Sequence, residues 1–443
     1  MGTVLSLNRG RTGVHHEVLV GEVCKRQKIT SNSFEASERL IPSLPDEISI
    51  QILARVPKVH YLGMKLISQN WKSTITSPEL YKCRKELGIT EEWLYILTKT
   101  SDDKFRWYAL DPISRIWQKL PPMPISTRDE ESRKGLGIGD TIRAWLGRKD
   151  LSTSALCGSA VGAVDGCLYV LGGFTKTSSV NSVWQFDPIM NRWSEINPMM
   201  TNRAYCKTGV LNNKLYVVGG VSRCRGGLFP LQSAEVFDPN TGMWSNLPNM
   251  PFSKAQMPTF LLADMLKPIA TGMTSYKGKL YVPQSLYCWP FSVDVGGEVY
   301  DPESNSWVEM PAGMGEGWPA RQASNKLSVN LDGIMYALDL SSSSLESRSV
   351  RIKMYDQESD AWKVVGDDVP VSDYDVSEGD SPYLLAGFIG RLHLIVKDAN
   401  HGVTVMQTNP KGYENQNSDD VWKVIASRVD DSEELVSCQM LDI

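Results

Sequence analysis

The chain has 443 residues, is 42% hydrophobic and carries a formal net charge of -5, which excludes disorder throughout and supplies core for one large domain or two unequal ones. The acidic balance lacks the clustered Lys and Arg that phosphate contacts need, so protein partners are expected and nucleic acid is not. Eight scattered cysteines form no CxxC pair, no secretory signal is read and no run approaches the ~20 apolar residues of a membrane helix, so free thiols in a reducing compartment, cytoplasmic or nuclear, are expected.

Residues 1–39 show neither helix nor strand periodicity and are expected to form a disordered arm. The arm opens Met1-Gly2-Thr3-Val4-Leu5-Ser6, which fits the acceptor pattern for N-myristoylation at Gly2. One acyl chain would hold a protein at a membrane only marginally. The tract Lys25-Arg26-Gln27-Lys28 reads as a solvated basic stretch or as a nuclear address.

Order is expected from Leu40. Ser43-Leu44-Pro45-Asp46 looks like a helix start, with Ser43 as cap, proline near the first turn and Asp46 and Glu47 at the positive dipole end. Ile48, Ile52, Leu53 and Val56 form a helical stripe ended by Pro57, and Tyr61, Leu62, Leu66, Ile67, Trp71 and Ile75 continue the spacing up to Ser77-Pro78. Glu79 to Leu87 forms a last short helix stopped by Gly88. Helices this short carry more Leu, Ile and Trp than they can bury against one another, which implies a partner or the cap of a following domain.

Leu44-Pro45-Asp46-Glu47, then Ile52-Leu53-Ala54-Arg55-Val56-Pro57, Trp71, Ile75 and Ser77-Pro78 together resemble the F-box. The chain departs from that pattern where the family has a Cys followed by a basic residue before the Trp; Ser68-Gln69-Asn70 stand there. The resemblance implies docking to a Skp-type adaptor, and through it to a cullin, by Leu44, Pro45, Ile48, Ile52, Leu53, Leu62, Leu66 and Trp71.

From Glu91 onward the sequence reads as strands that repeat. One half of the repeat is a strand ending in Asp, usually Asp-Pro, with Trp six residues after the Asp: Asp111 and Trp117, Asp187 and Trp193, Asp238 and Trp244, Asp301 and Trp307, Asp356 and Trp362. A degenerate sixth copy closes on Trp422. The other half is a hairpin whose turn precedes a Leu-Tyr-like strand: Asp165-Gly166, Asn212-Asn213, Lys277-Gly278, Asp332-Gly333 and Gly390. Four short strands per repeat, repeated six times, describe propeller blades that must stack to bury their faces. The spacing resembles kelch repeats, with the double glycine kept at Gly172-Gly173 and Gly219-Gly220 and replaced by Pro283-Gln284-Ser285 and Asp339-Leu340. The fold class expected is therefore all-β, a six-bladed kelch β-propeller over 91–443 with a small all-α F-box module over 40–88.

The first blade starts at Trp93-Leu94-Tyr95 without an innermost strand, so residues 434–443 are expected to supply it. The recurring Tyr and Trp read as packing between blades. Long connections fall on one face of such a ring, and there Arg203, Arg223, Arg225, Phe229, Trp289, Trp318 and Arg321 are candidates for binding a protein target. Arg203 and Arg321 also stand where many kelch repeats carry Arg, a structural position. The same face is expected to carry an insertion over 125–150 and an acidic rim from Asp367 to Asp380.

No catalytic residue, metal site or cofactor is read from the chain. A galactose-oxidase-like copper site needs convergent histidines, and of the five only His401 is free: His15, His16 and His60 precede the ring, and His393 replaces a core Tyr. The run Gly135-Leu136-Gly137-Ile138-Gly139 lacks the Lys-Ser/Thr of a phosphate loop. The function expected is substrate recognition within an SCF-type ubiquitin ligase, the alternative being a kelch scaffold without ligase role.

Overall fold

The computed structural model describes residues 39–100, 104–124, 157–175, 178–224, 227–252, 268–288, 291–319, 327–340, 343–344, 347–348, 350–366, 369, 383–397, 402–410, 422–429 and 433–443. The N-terminal arm up to residue 38 with Gly2, the insertion over 125–150, the six acids from Asp367 to Asp380, and Arg225, Trp289, Arg321 and His401 lie outside the described residues.

The described residues open with a helical module: α1 (Asp46–Ala54), a 3-10 turn (Lys58–His60), α2 (Tyr61–Met64), α3 (Gln69–Ile75) and α4 (Pro78–Glu86). Pro45 stands at the N-cap of α1 and the expected Ser43 cap does not form, because Ser43 and Leu44 are turned back by N–H bonds to Ile41 O. The Asp46 carboxylate instead accepts the Leu40 N–H. The single stripe expected from Tyr61 to Ile75 is broken in two, since Ser68 is extended and its hydroxyl accepts the Trp71 N–H, which restarts the helix. Gly88, at a φ of 63°, ends the last helix. Leu40, Leu53, Ala54, Tyr61, Ile75 and Leu80 form the module's core. Trp71 packs against it and donates its indole N–H to Leu40 O at 2.8 Å.

The remainder is a ring of six antiparallel blades, five of them four-stranded; in blade four the short strands Pro268–Ala270 and Thr274–Tyr276 both pair with Lys279–Cys288, which makes five. Blade two (Ala160–Val164, Cys167–Leu171, Val183–Asp187, Arg192–Ile196) sets the pattern: a two-residue turn at Asp165-Gly166, a long crossing, then a tight turn after Asp187. Asp187 Oδ1 caps that turn by accepting the N–H groups of Ile189 and Met190. Trp193 lies against Phe186 at 5.1 Å and donates to Pro121 O of the preceding blade. The same bond crosses each of the next three seams, from Trp244 to Asn197 O, Trp307 to Pro248 O and Trp362 to Met314 O. The repeated Asp and Trp are thus the turn cap and the seam bond of one unit.

The double glycines are explained by close approach. Gly172 and Gly220 have φ of 60° and 85°, and a Cβ on them would stand 2.1 Å from Arg203 O and 2.5 Å from Ala204 O. Blade four has Pro283-Gln284-Ser285 at this place, and the chain does not turn off. Its second and third strands run on as a long hairpin (Lys279–Cys288 with Phe291–Asp301) through a register shift between Pro283 and Ser285. Buried Gln284 and Glu298 hydrogen-bond to each other inside it at 3.1 Å.

Glu433–Asp442 pairs antiparallel with Glu92–Thr100 as the innermost strand of blade one, so the two ends of the ring share one sheet. Leu441 and Ile443 enter the core between blades one and two, and Leu435 and Cys438 that between blades six and one.

Candidate functional site

Several large apolar side chains of the helical module are left exposed. Ile48 and Ile52 stand one turn apart on α1, and Leu62, Leu66 and Ile67 follow on α2 and the turn after it; all five are exposed, Leu66 by 86%. Leu53, between them in sequence, faces the core at 1% exposure, so α1 is apolar on both sides, one for its own module and one for something else.

Behind that surface the module is locked to the ring by Arg84. Its guanidinium, 1% exposed, donates from one nitrogen to Ala54 O, Val56 O and the Tyr61 hydroxyl, and from the other to Ile89 O and Glu91 Oε1 at 2.6 Å. Glu91 also accepts from the Lys58 N–H and, through Oε2, from the Trp93 indole, so one carboxylate links α4, the 3-10 turn and blade one. Lys58 is the strained member. Its ammonium is buried with no hydrogen-bond partner among the described residues and lies 5.2 Å from the centre of the Trp93 ring. Burial pulls its pKa down to about 7, Arg84 pulling the same way and Glu91 opposing. For a lysine lowered from 10.5, the unfolded chain holds the extra proton between those two values, so this group's contribution to stability rises with pH across that window. Lys58→Met is expected to raise the melting temperature by about 2–4 °C at pH 6 and by less at pH 10, read by calorimetry at both.

Two further contacts orient the module. Lys65 Nζ donates to Ile189 O at 3.2 Å and Lys85 lies 3.9 Å from Asp165. Both acceptors belong to short turns of blade two, so the module rests on the short-turn face. The opposite face carries the blade-four hairpin, a two-stranded hairpin from blade three (Val221–Cys224 with Gly227–Pro230) and a smaller one from blade five (Ser343–Ser344 with Ser347–Arg348). On the blade-three hairpin Phe229 is exposed, and the Arg223 guanidinium lies 4.9 Å from the centre of the Phe174 ring, itself edge-on to Tyr205.

The F-box domain family model matches residues 41–83, and the Kelch motif model matches 155–200 and 202–251. An F-box/kelch-repeat protein of Arabidopsis thaliana is 55% identical over 100% of both chains. The chain belongs to the F-box/kelch-repeat family. More distant Arabidopsis relatives include F-box protein AFR, 29% identical across 64% of this chain and 65% of its own, and F-box/kelch-repeat protein SKIP4, 24% identical across 75% and 77%.

Placed on the F-box and the kelch propeller, the residues singled out from sequence separate into two groups. Pro45, Ile48, Ile52, Leu62 and Leu66 are each exposed on the F-box, and Leu44 is half-buried. Leu53 is corrected to a core residue, and half-buried Trp71 serves mainly the F-box interior. On the long-loop face Phe229 and half-buried Arg223 are accessible. Arg203 is not: wholly buried, it donates to Gly219 O, Ser233 O and the Ser233 hydroxyl and pairs with buried Glu235, clamping the connection before blade three. Trp318 is also buried, edge-on to Trp362 at 5.4 Å beside α5 (Ala312–Glu316). Sequence reasoning missed Arg84, Glu91 and Lys58. The available signal was Arg84 four residues after Leu80 on the inward side of α4, a charged residue at a buried helical position.

Proposed function

We propose that this chain is a substrate receptor of an SCF-type ubiquitin ligase, its F-box docking a Skp-type adaptor that bridges to a cullin and its long-loop face holding a protein target. The observation that carries this reading is that Ile48, Ile52, Leu62, Leu66 and Ile67 are all exposed on a module that is already fixed to the propeller by buried bonds and keeps a separate core. Apolar surface of that kind is the material of a protein interface. The position of the F-box on the short-turn face supports the division of labour, because the hairpins of blades three to five then point away from the adaptor and remain open to a target. Holding both partners raises the target's effective concentration at the ubiquitin-loaded enzyme, and the chain itself contributes no bond chemistry.

Ile52→Asp/Leu66→Asp is expected to weaken binding of a purified Skp-type adaptor by at least about a hundredfold in a titration, with the melting temperature unchanged because neither side chain is in a core. Adaptor binding at wild-type affinity by this variant would contradict the assignment.

A further inference from the structure

Resting on the adaptor reading, we propose that the adaptor-binding surface runs off the F-box onto the short turns of the neighbouring blades, with Met190 of blade two and Ile113 of blade one as its outlying apolar contacts. The turn between the third and fourth strands has the same backbone in five blades. In each, the leading Asp accepts the N–H two residues on: Asp111 from Ile113, Asp187 from Ile189, Asp238 from Asn240, Asp301 from Glu303 and Asp356 from Glu358. The two residues after the proline position are Asn240-Thr241, Glu303-Ser304 and Glu358-Ser359 in blades three to five, but Ile113-Ser114 and Ile189-Met190 in blades one and two. The turn itself does not require an apolar side chain, since the polar versions fold identically. The apolar versions occur in the two blades whose shared core the F-box touches through Val59.

Ile113 is 78% exposed and Met190 41%. Met190 is next in sequence to Ile189, whose carbonyl holds Lys65; Lys65 in turn precedes Leu66, the most exposed apolar residue of the F-box. The residue before Leu66 and the residue before Met190 are therefore joined by a hydrogen bond, which brings these two chain segments together. On the other flank, blade six repeats the pattern in the turn between its first and second strands. Asp165, Asn212, Lys277 and Asp332 take the left-handed position there, at φ of 46–52°; in blade six that residue is Ile389, at φ 50° and exposed. A β-branched side chain is the type this conformation penalises most, and Ile389 remains 46% exposed. Exposed aliphatic residues thus replace polar ones at equivalent turns around the foot of the F-box.

The test uses the full chain and a purified Skp-type adaptor. Ile113→Glu/Met190→Glu is expected to raise the dissociation constant about tenfold with no change in melting temperature, while Asn240→Glu, the same turn on blade three, leaves it unchanged. Wild-type affinity in the double variant, when Ile52→Asp/Leu66→Asp has lost binding, overturns the inference and leaves the receptor reading standing. A double variant that keeps adaptor affinity but loses cullin recruitment also overturns it, assigning the patch to the cullin. Equal weakening by Asn240→Glu overturns it as a general effect of charge. If wild type itself fails to bind the adaptor, the receptor reading fails and the inference falls with it.

Discussion

Removal of residues 434–443 is expected to lower the melting temperature of the propeller by more than about 10 °C. The residues it removes pair with Glu92 to Lys99 and carry Leu435, Cys438 and Leu441 into two inter-blade cores, with Ile443 just beyond the strand. Each fully buried aliphatic side chain stabilises by roughly 1.5–3 kcal/mol, so the loss is comparable to the net stability of an ordinary domain. The deletion also exposes an unpaired edge at Trp93 to Leu97 and removes the two backbone bonds between Glu91 and Ile443 at the foot of the F-box. The expected record by calorimetry is a lower, broader transition with a tendency to aggregate. An unchanged transition would show that the ring does not depend on its last strand.

Arg84→Ala is expected to abolish adaptor binding although Arg84 is too deeply buried to touch an adaptor. It strips partners from Ala54 O, Val56 O, Ile89 O and the Tyr61 hydroxyl and leaves the Glu91 carboxylate without its cation. Breaking a buried pair from one side costs about 3–5 kcal/mol, more than a four-helix module of this size can lose and stay folded. The propeller, whose seams do not involve Arg84, keeps its own transition. Arg84→Lys recovers little, since an ammonium cannot serve the same spread of acceptors from two planar nitrogens. A calorimetric scan and an adaptor titration on the same preparations check both halves; retained binding in Arg84→Ala would mean that the F-box fold does not depend on this centre.

The blade repeat was legible because its most conspicuous residues do local, repeated work. An Asp that caps its own turn and a Trp six residues on that bonds back to the preceding blade must recur at fixed spacing, and so they are visible without any structure. The missing innermost strand of blade one was legible by the same count. The blade-four hairpin was not, because Pro283-Gln284-Ser285 announces the loss of the glycine turn without saying that the strands continue through a bulge. Within α1, Ile52 and Leu53 are chemically alike, and helical spacing alone does not say which of two apolar sides belongs to the core; only the position of Tyr61 and Leu80 against Leu53 decides it. Arg203, for which the structural one of its two readings holds, and Arg84, which was missed, share one difficulty. A charged side chain reads as solvated or partner-seeking unless its buried counter-charge is known, and Glu235 and Glu91 are brought to them by the fold.

The central claim, that the exposed apolar residues of the F-box seat a Skp-type adaptor, is tested most directly by mixing the purified wild-type chain with a Skp-type adaptor and the N-terminal part of a cullin and measuring the mass of the eluted species by light scattering. A single species of one copy each, lost with Ile52→Asp/Leu66→Asp, is the result predicted. Separate elution of the wild-type chain would contradict the receptor reading and leave a kelch propeller whose F-box serves some other contact.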